Sequence, residues 1–118
     1  MSEASLHPSI AALKAIGRPL TDDDYDLIVT AQPFVEDLPA EPNAAEIAAL
    51  ITLFPANGDT ANGLNWPILH CIEASADWPI WELIGEPYHE WHMILRKRLE
   101  NAGHKPPKPS LLNRFFGR

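Results

Sequence analysis

The chain has 118 residues, of which 46% are apolar and 21% are charged, a size and composition that fit one globular domain and exclude a disordered chain. A single cysteine, Cys71, excludes an intrachain disulfide framework, and the lack of a secretory signal or a long apolar run predicts a cytoplasmic protein. The formal net charge of −7 argues against binding of nucleic acid by the acidic part of the chain.

The first two helices are predicted from apolar spacing and from the residues at their ends. Pro8 suits a first helical turn, and Gly17 ends the segment that follows it. Thr21 precedes three aspartates whose charge suits the positive end of a helix dipole, so a second helix is expected to start there. Because Pro33 removes a backbone donor, this helix is expected to end near Gln32.

A third helix follows a connector over residues 33–42, which contains three prolines and has no clear period. Asn43 and Glu46 have the spacing of a capping box, in which each side chain accepts a hydrogen bond from the other residue's backbone amide. Apolar residues then recur at helical spacing until Pro55. This pattern predicts an amphipathic helix.

Two similar tetrads, Asn65-Trp66-Pro67-Ile68 and Asp77-Trp78-Pro79-Ile80, are the most distinctive part of the chain. Asn or Asp can cap free amides and proline fits a first turn, so each tetrad predicts a helix start. The second of these helices is short and ends at Gly85. A last, longer helix is expected to begin at Glu86-Pro87 and to end near Gly103. Its apolar stripe comprises Tyr88, Trp91, Ile94, Leu95 and Leu99.

The whole pattern predicts an all-α domain of about six short helices over residues 1–103, because no segment alternates with period two. Residues 104–118 are Pro-rich and basic, and they are predicted to form an extended C-terminal tail. Charge divides along the chain. Residues 1–95 hold two bases against fifteen acids, a net −13, whereas residues 96–118 hold seven bases against one acid, a net +6.

Short helices that follow tight turns and start at Asp or Asn resemble HEAT-like helical hairpins, and an irregular helical bundle is the alternative. Asn65-Trp66-Pro67-Ile68, with the Trp91 helix downstream, also resembles a small bacterial domain family of unknown function that has an Asn-Trp-Pro-Ile/Val helix start. This resemblance covers about residues 43–100. It implies an all-α interaction module, some relatives of which are toxin-immunity proteins, and it brings no catalytic residues.

Acidic and aromatic side chains are the candidate binding residues. Four acids within five residues exceed what one helix start requires, so they predict a basic partner, although a solvated face is the alternative. Tryptophans beside helix starts lie near the surface and can anchor a partner, whereas the others are expected in the core. The predicted partner-binding residues are Asp22, Asp23, Asp24, Asp26, Glu36, Asp37, Trp66 and Trp78.

His89 and His92, with Glu86 and Glu90, are the cluster that most suggests a metal or acid–base site. The H-E-x-x-H spacing of zinc proteases is absent, and two histidines fall short of the three or four ligands a metal needs. We therefore expect no metal or cofactor, and exposed helical histidines. Cys71 is expected to be a buried structural thiol.

The leading hypothesis is a non-catalytic module, an immunity or antitoxin-like protein that blocks a basic protein partner through acidic and aromatic side chains. Two alternatives remain open. One is a small metal- or ligand-dependent enzyme that uses His89 and His92. The other is an adaptor tethered through residues 104–118 to a membrane surface or a larger assembly. The oligomeric state is left open.

Overall fold

The structure is a computed structural model that describes residues 6–106. Within this range the chain forms five α-helices, one 3₁₀ turn and no strand, so the all-α prediction is confirmed. The helices are α1 (Pro8–Ile16), α2 (Tyr25–Glu36), α3 (Ala44–Ile51), α4 (Asn65–Glu73) and α5 (Glu90–Asn101), and the 3₁₀ turn is Trp81–Ile84. None of these helices is long and apolar enough to cross a membrane. The predicted tail lies outside the described residues from position 107 onward.

One carboxylate joins the starts of α1 and α3. The predicted capping box is present, because Asn43 accepts a hydrogen bond from the Glu46 amide and Glu46 accepts one from the Asn43 amide. The other oxygen of Glu46 accepts a hydrogen bond of 2.6 Å from the backbone amide of His7. His7 in turn caps α1, because its Nδ1 accepts from the Ser9 amide at 3.1 Å. The two N-termini are therefore held together by charged and backbone groups.

Helix α2 runs through Pro33 to Glu36, so the prediction that it ends near Gln32 is wrong. The next turn carries Val35, which is 4% exposed and packs in the same core as Ala31. Pro33 itself is exposed, so its ring lies on the solvent side of the helix. Burial of the apolar side offsets the hydrogen bond that proline cannot donate.

The two Trp-Pro tetrads have different structures. The first starts α4 at Asn65, as predicted, but the N-cap is Leu64 and no side chain caps the helix. Asn65 is fully buried as the first residue of α4, and its Nδ2 donates to the carbonyls of Leu20 at 3.3 Å and Asp59 at 3.0 Å. It ties two preceding loops to α4 instead of capping the helix. The second tetrad contains a cis peptide bond between Trp78 and Pro79 and leads into a single 3₁₀ turn.

Helix α5 begins at Glu90, four residues later than predicted from Glu86-Pro87. Its N-cap is His89, whose Nδ1 accepts a hydrogen bond from the His92 amide. Tyr88 is 91% exposed, so its predicted place on the apolar stripe is wrong. The buried face of α5 consists of Trp91, His92, Leu95 and Leu99.

Trp91 joins α5 to the rest of the core. Its ring is fully buried, stacks on Phe54 with centroids 4.8 Å apart, and meets the edge of Trp66 at 4.9 Å. Phe54 follows α3 and Trp66 lies in the first turn of α4, so one indole of α5 contacts two other parts of the chain. Helix α1 packs on α2 and α3, α4 packs on the same two helices, and α5 packs on the 3₁₀ turn.

Candidate interaction surface

The eight predicted partner-binding residues lie in several places and do not form one patch. Four of them lie at the start of α2, namely Asp22, Asp23, Asp24 and Asp26, and two lie at its end, Glu36 and Asp37. Trp66 is in the first turn of α4, and Trp78 lies beyond the end of α4. The two acidic groups are about 18 Å apart, because a helix rises about 1.5 Å per residue. The start of α2 is the denser of the two.

Asp22 contacts a second aspartate from the loop before α4. Its backbone amide donates to Oδ1 of Asp59 at 2.9 Å, and its carboxylate accepts a hydrogen bond from the Asn62 amide. The same oxygen of Asp59 accepts from the Ala61 amide at 2.7 Å. Backbone amides thus hold two neighbouring carboxylates at one edge of the molecule.

The same loop connects these acids to the tryptophans. The Asp59 carbonyl accepts hydrogen bonds from Trp91 Nε1 at 2.9 Å and from Asn65 Nδ2 at 3.0 Å. Trp66, which packs against Trp91, keeps 37% of its surface exposed. We call this group the acidic edge, and it comprises Asp22, Asp23, Asp59 and Trp66. Asp59 was missed by sequence reasoning because it lies 37 residues from its partner.

Two of the predicted acids also make contacts within the fold. Asp24 caps α2 through a hydrogen bond of 3.1 Å from the Leu27 amide, and its second oxygen pairs with Arg18 at 2.7 Å. Asp37 accepts a hydrogen bond of 2.9 Å from the Ser9 hydroxyl and so joins α2 to α1. Both carboxylate oxygens of Asp24 and one of Asp37 are already partnered, and a change at either residue would remove these contacts.

Trp78 lies apart from the acidic edge, beside a cavity of about 460 Å³ near the end of α5. Arg98 and Glu73 form a bidentate pair at this cavity, with hydrogen bonds of 2.6 and 2.8 Å that raise the pKa of Arg98. The Trp78 indole N–H is buried and has no hydrogen-bond partner among residues 6–106. The other residues that line the cavity are Leu99, Asn101, Ala102 and His104.

His89 and His92 form a stacked pair, with ring centroids 3.9 Å apart and planes inclined by 21°. In each ring Nδ1 accepts a backbone hydrogen bond, from the His92 amide at 3.3 Å and from the Glu86 amide at 3.2 Å. A neutral imidazole that accepts at Nδ1 carries its proton on Nε2, so that atom has no lone pair for a metal. In the described part of the chain, no three His, Cys, Asp or Glu side chains form a potential metal site.

The expectation of exposed helical histidines is wrong for this pair. His92 is only 8% exposed, and His89 is partly buried at the N-cap of α5. Burial, followed by the charges of His89 and Arg96, lowers the pKa of His92 to about 4. The His92 ring is therefore neutral at neutral pH, and its contacts with His89 and Glu86 hold the turn before α5, which is a structural role.

Cys71 is partly buried, and its Sγ donates to the Pro39 carbonyl at 3.3 Å. Burial, and secondarily the charge of Glu46, raises the pKa of the thiol to about 11. The thiolate is the nucleophilic form of cysteine, so Cys71 is unreactive near neutral pH. The histidine pair and the thiol thus have structural explanations.

Comparison with protein-family models, with curated proteins and with solved structures found no match. Function must therefore be inferred from the chain's own residues. Among the described residues, the acidic edge combines exposed carboxylates with an exposed aromatic ring that is fixed by packing. Such a combination can attract and hold a basic protein surface.

Proposed function

We propose that this chain is a non-catalytic protein-interaction module that binds a basic protein partner through the acidic edge. The observation that carries the proposal is the chain of contacts from Asp22 through Asp59 to Trp91 and Trp66. Because this chain is built from backbone hydrogen bonds and a buried indole, the binding side chains are held in place before a partner arrives. Preorganised groups lose less entropy on binding than mobile ones.

The charge of the surrounding domain supports the same proposal. Residues 1–95 carry a net −13, and of their two bases Arg18 is paired with Asp24. A field of this sign accelerates the approach of a basic partner and repels nucleic acid. The exposed part of Trp66 supplies the apolar contact area that charged side chains lack.

The class of protein is proposed from the sequence resemblance. An immunity or antitoxin-like protein of a bacterial cytoplasm, with HEAT-like helical hairpins, would block its partner by covering the partner's active site. The acidic edge is compatible with this role because active sites that bind nucleic acid are themselves basic. An inhibitor that covers such a site must bind tightly, and it needs no catalytic activity of its own.

The first test is affinity capture of the tagged full chain at low and moderate salt, followed by measurement of association rates with the captured protein. Asp23→Lys should lower the association rate constant about tenfold, because steering depends on exposed charge. Trp66→Ala should weaken affinity about tenfold or more through faster dissociation. Asp77→Lys makes the same charge change at an exposed site next to Trp78 and serves as the matched control.

The proposal predicts that added salt slows association with the wild-type chain and that the Asp77→Lys control stays within about twofold of it. If Asp23→Lys and Asp77→Lys lower the association rate constant equally, total charge controls association and the acidic edge has no special role. Association that is independent of salt would contradict the proposal, as would the absence of any retained basic protein at both salt concentrations.

A further inference from the structure

The outer face of α2 carries an exposed apolar row that the fold leaves uncovered within residues 6–106. Tyr25 is 72% exposed, Val29 is 50% exposed, and Pro33 is exposed as well. These three residues are four positions apart, which places them within about 80° of one another around the helix. They lie opposite the buried face, which consists of Leu27, Ile28, Ala31 and Val35.

Acidic side chains border this row, and no basic residue occurs anywhere in α2. Asp26 lies beside Tyr25, and Glu36 lies one turn beyond Pro33, where it accepts a hydrogen bond of 3.0 Å from Gln32. Asp22 and Asp23 extend the negative charge past the start of the helix to the acidic edge. A partner for this face must therefore combine apolar and positively charged side chains.

Pro33 adds a hydrogen-bond requirement. Proline has no amide hydrogen, so the Val29 carbonyl lacks the donor that any other residue at position 33 would supply. In the free protein water can satisfy this oxygen, but a partner that covers Val29 excludes the water and must donate instead. A guanidinium carries five donors in a planar fork, so it can bind this carbonyl and a neighbouring carboxylate at once.

We propose that the Tyr25–Val29–Pro33 row of α2 is the docking strip for a cationic amphipathic helix of the partner, with an arginine of that helix donating to the Val29 carbonyl. A row of residues four apart forms the ridge that fits the groove of another helix. This inference rests on the proposed function and names the partner's contacting element. The acidic edge then steers the partner, and the strip supplies the helix contact.

The test uses the full chain labelled with ¹⁵N and a synthetic helical peptide. In this peptide leucine and arginine alternate at every fourth position. A second peptide has lysine in place of every arginine. Chemical shift changes map the contact, and titration gives the affinity. We expect the largest changes along α2, and about tenfold weaker binding of the arginine peptide to the Tyr25→Ser/Val29→Ser variant. Tyr88→Ser/Met93→Ser removes two other exposed apolar side chains and should change affinity less than about twofold.

Pro33→Ala is the decisive variant, because it restores a donor to the Val29 carbonyl and favours the helix. Weaker binding by this variant therefore cannot come from unfolding. We expect it to lose about tenfold in affinity for the arginine peptide and less for the lysine peptide, so the preference for arginine should shrink.

Unchanged arginine affinity in Pro33→Ala, or shift changes confined to Trp66 and the neighbouring aspartates, would overturn the docking strip while leaving the proposed function in place. If neither peptide binds, the docking strip is overturned as well. Capture of the natural partner at the acidic edge is measured independently, so its failure would be recognised separately as failure of the proposed function.

Discussion

Acidification from about pH 7.5 to about pH 4.5 should destabilise the start of α5 through the stacked histidines. Nδ1 of His92 accepts a hydrogen bond from the Glu86 amide, and protonation of this ring would place hydrogen on that atom. It would also place a positive charge on a ring stacked 3.9 Å from the His89 ring. Arg96 lies close by, because it donates to the carbonyls of Ile84 and Glu86. The carboxylates nearest in sequence, those of Glu86 and Glu90, are exposed to solvent, which limits how far they can offset this positive charge.

The size of the effect follows from the two states of His92. In the folded chain its pKa is about 4, whereas an unfolded histidine titrates near its ordinary value of 6.5. The unfolded chain therefore binds a proton first as the pH falls, so stability is complete above pH 6.5 and is lost progressively toward about pH 4. The difference between the unfolded and folded pKa values of His92 corresponds to about 3 kcal/mol of unfolding free energy. Solvent screening reduces the expected loss to about 2 kcal/mol.

The assay is urea unfolding at a series of pH values, followed by tryptophan fluorescence. In His92→Asn the amide oxygen can replace Nδ1 as an acceptor without titrating, so this variant should lose about 2 kcal/mol less than wild type between pH 7.5 and 4.5. His70→Asn, at an exposed position on α4, is the matched control and should follow wild type. If His92→Asn and wild type show the same pH dependence, carboxylates alone control it and the histidine explanation is refuted.

Two further predictions concern buried contacts. Glu46→Ala removes the acceptor for the amides of Asn43 and His7, so it should lower the free energy of unfolding by about 2 to 3 kcal/mol in urea titrations. The exposed control Glu41→Ala should cost under about 0.5 kcal/mol, and equal costs would contradict the assigned role. With its pKa near 11, Cys71 should react with a disulfide reagent at pH 8 about 100-fold more slowly than in urea-unfolded chain, and equal rates would contradict its burial.

Local rules predicted the elements whose signals are contained within a few residues. The capping box of α3 was correctly predicted, because both of its hydrogen bonds join residues three positions apart. The absence of period-two alternation correctly predicted an all-α chain over the described residues. Such signals need no knowledge of the remaining fold, since neighbouring residues provide both partners of each interaction.

The candidate site was predictable only in part. The acids near the start of α2 and the exposed Trp66 were identified from sequence, but their link through Asp59 joins positions 37 residues apart. Sequence also predicted Asp24 and Asp37 as binding residues, and it gave no sign of their contacts with Arg18 and Ser9. Residue type indicates what a side chain can bond, and its tertiary neighbours determine what it does bond.

The sequence by itself determined the helical class, the acidic character of residues 1–95 and the capping box of α3, because periodicity, charge and short-range hydrogen bonds are local properties. Only the tertiary structure decided that α2 continues through Pro33 and that α5 starts at Glu90 and not at Glu86. In the first case burial of Val35 outweighs a lost hydrogen bond. In the second, the His89 imidazole, which stacks on His92, supplies the N-cap by accepting a hydrogen bond from the His92 amide, a contact that packing before α5 sets and local sequence rules do not.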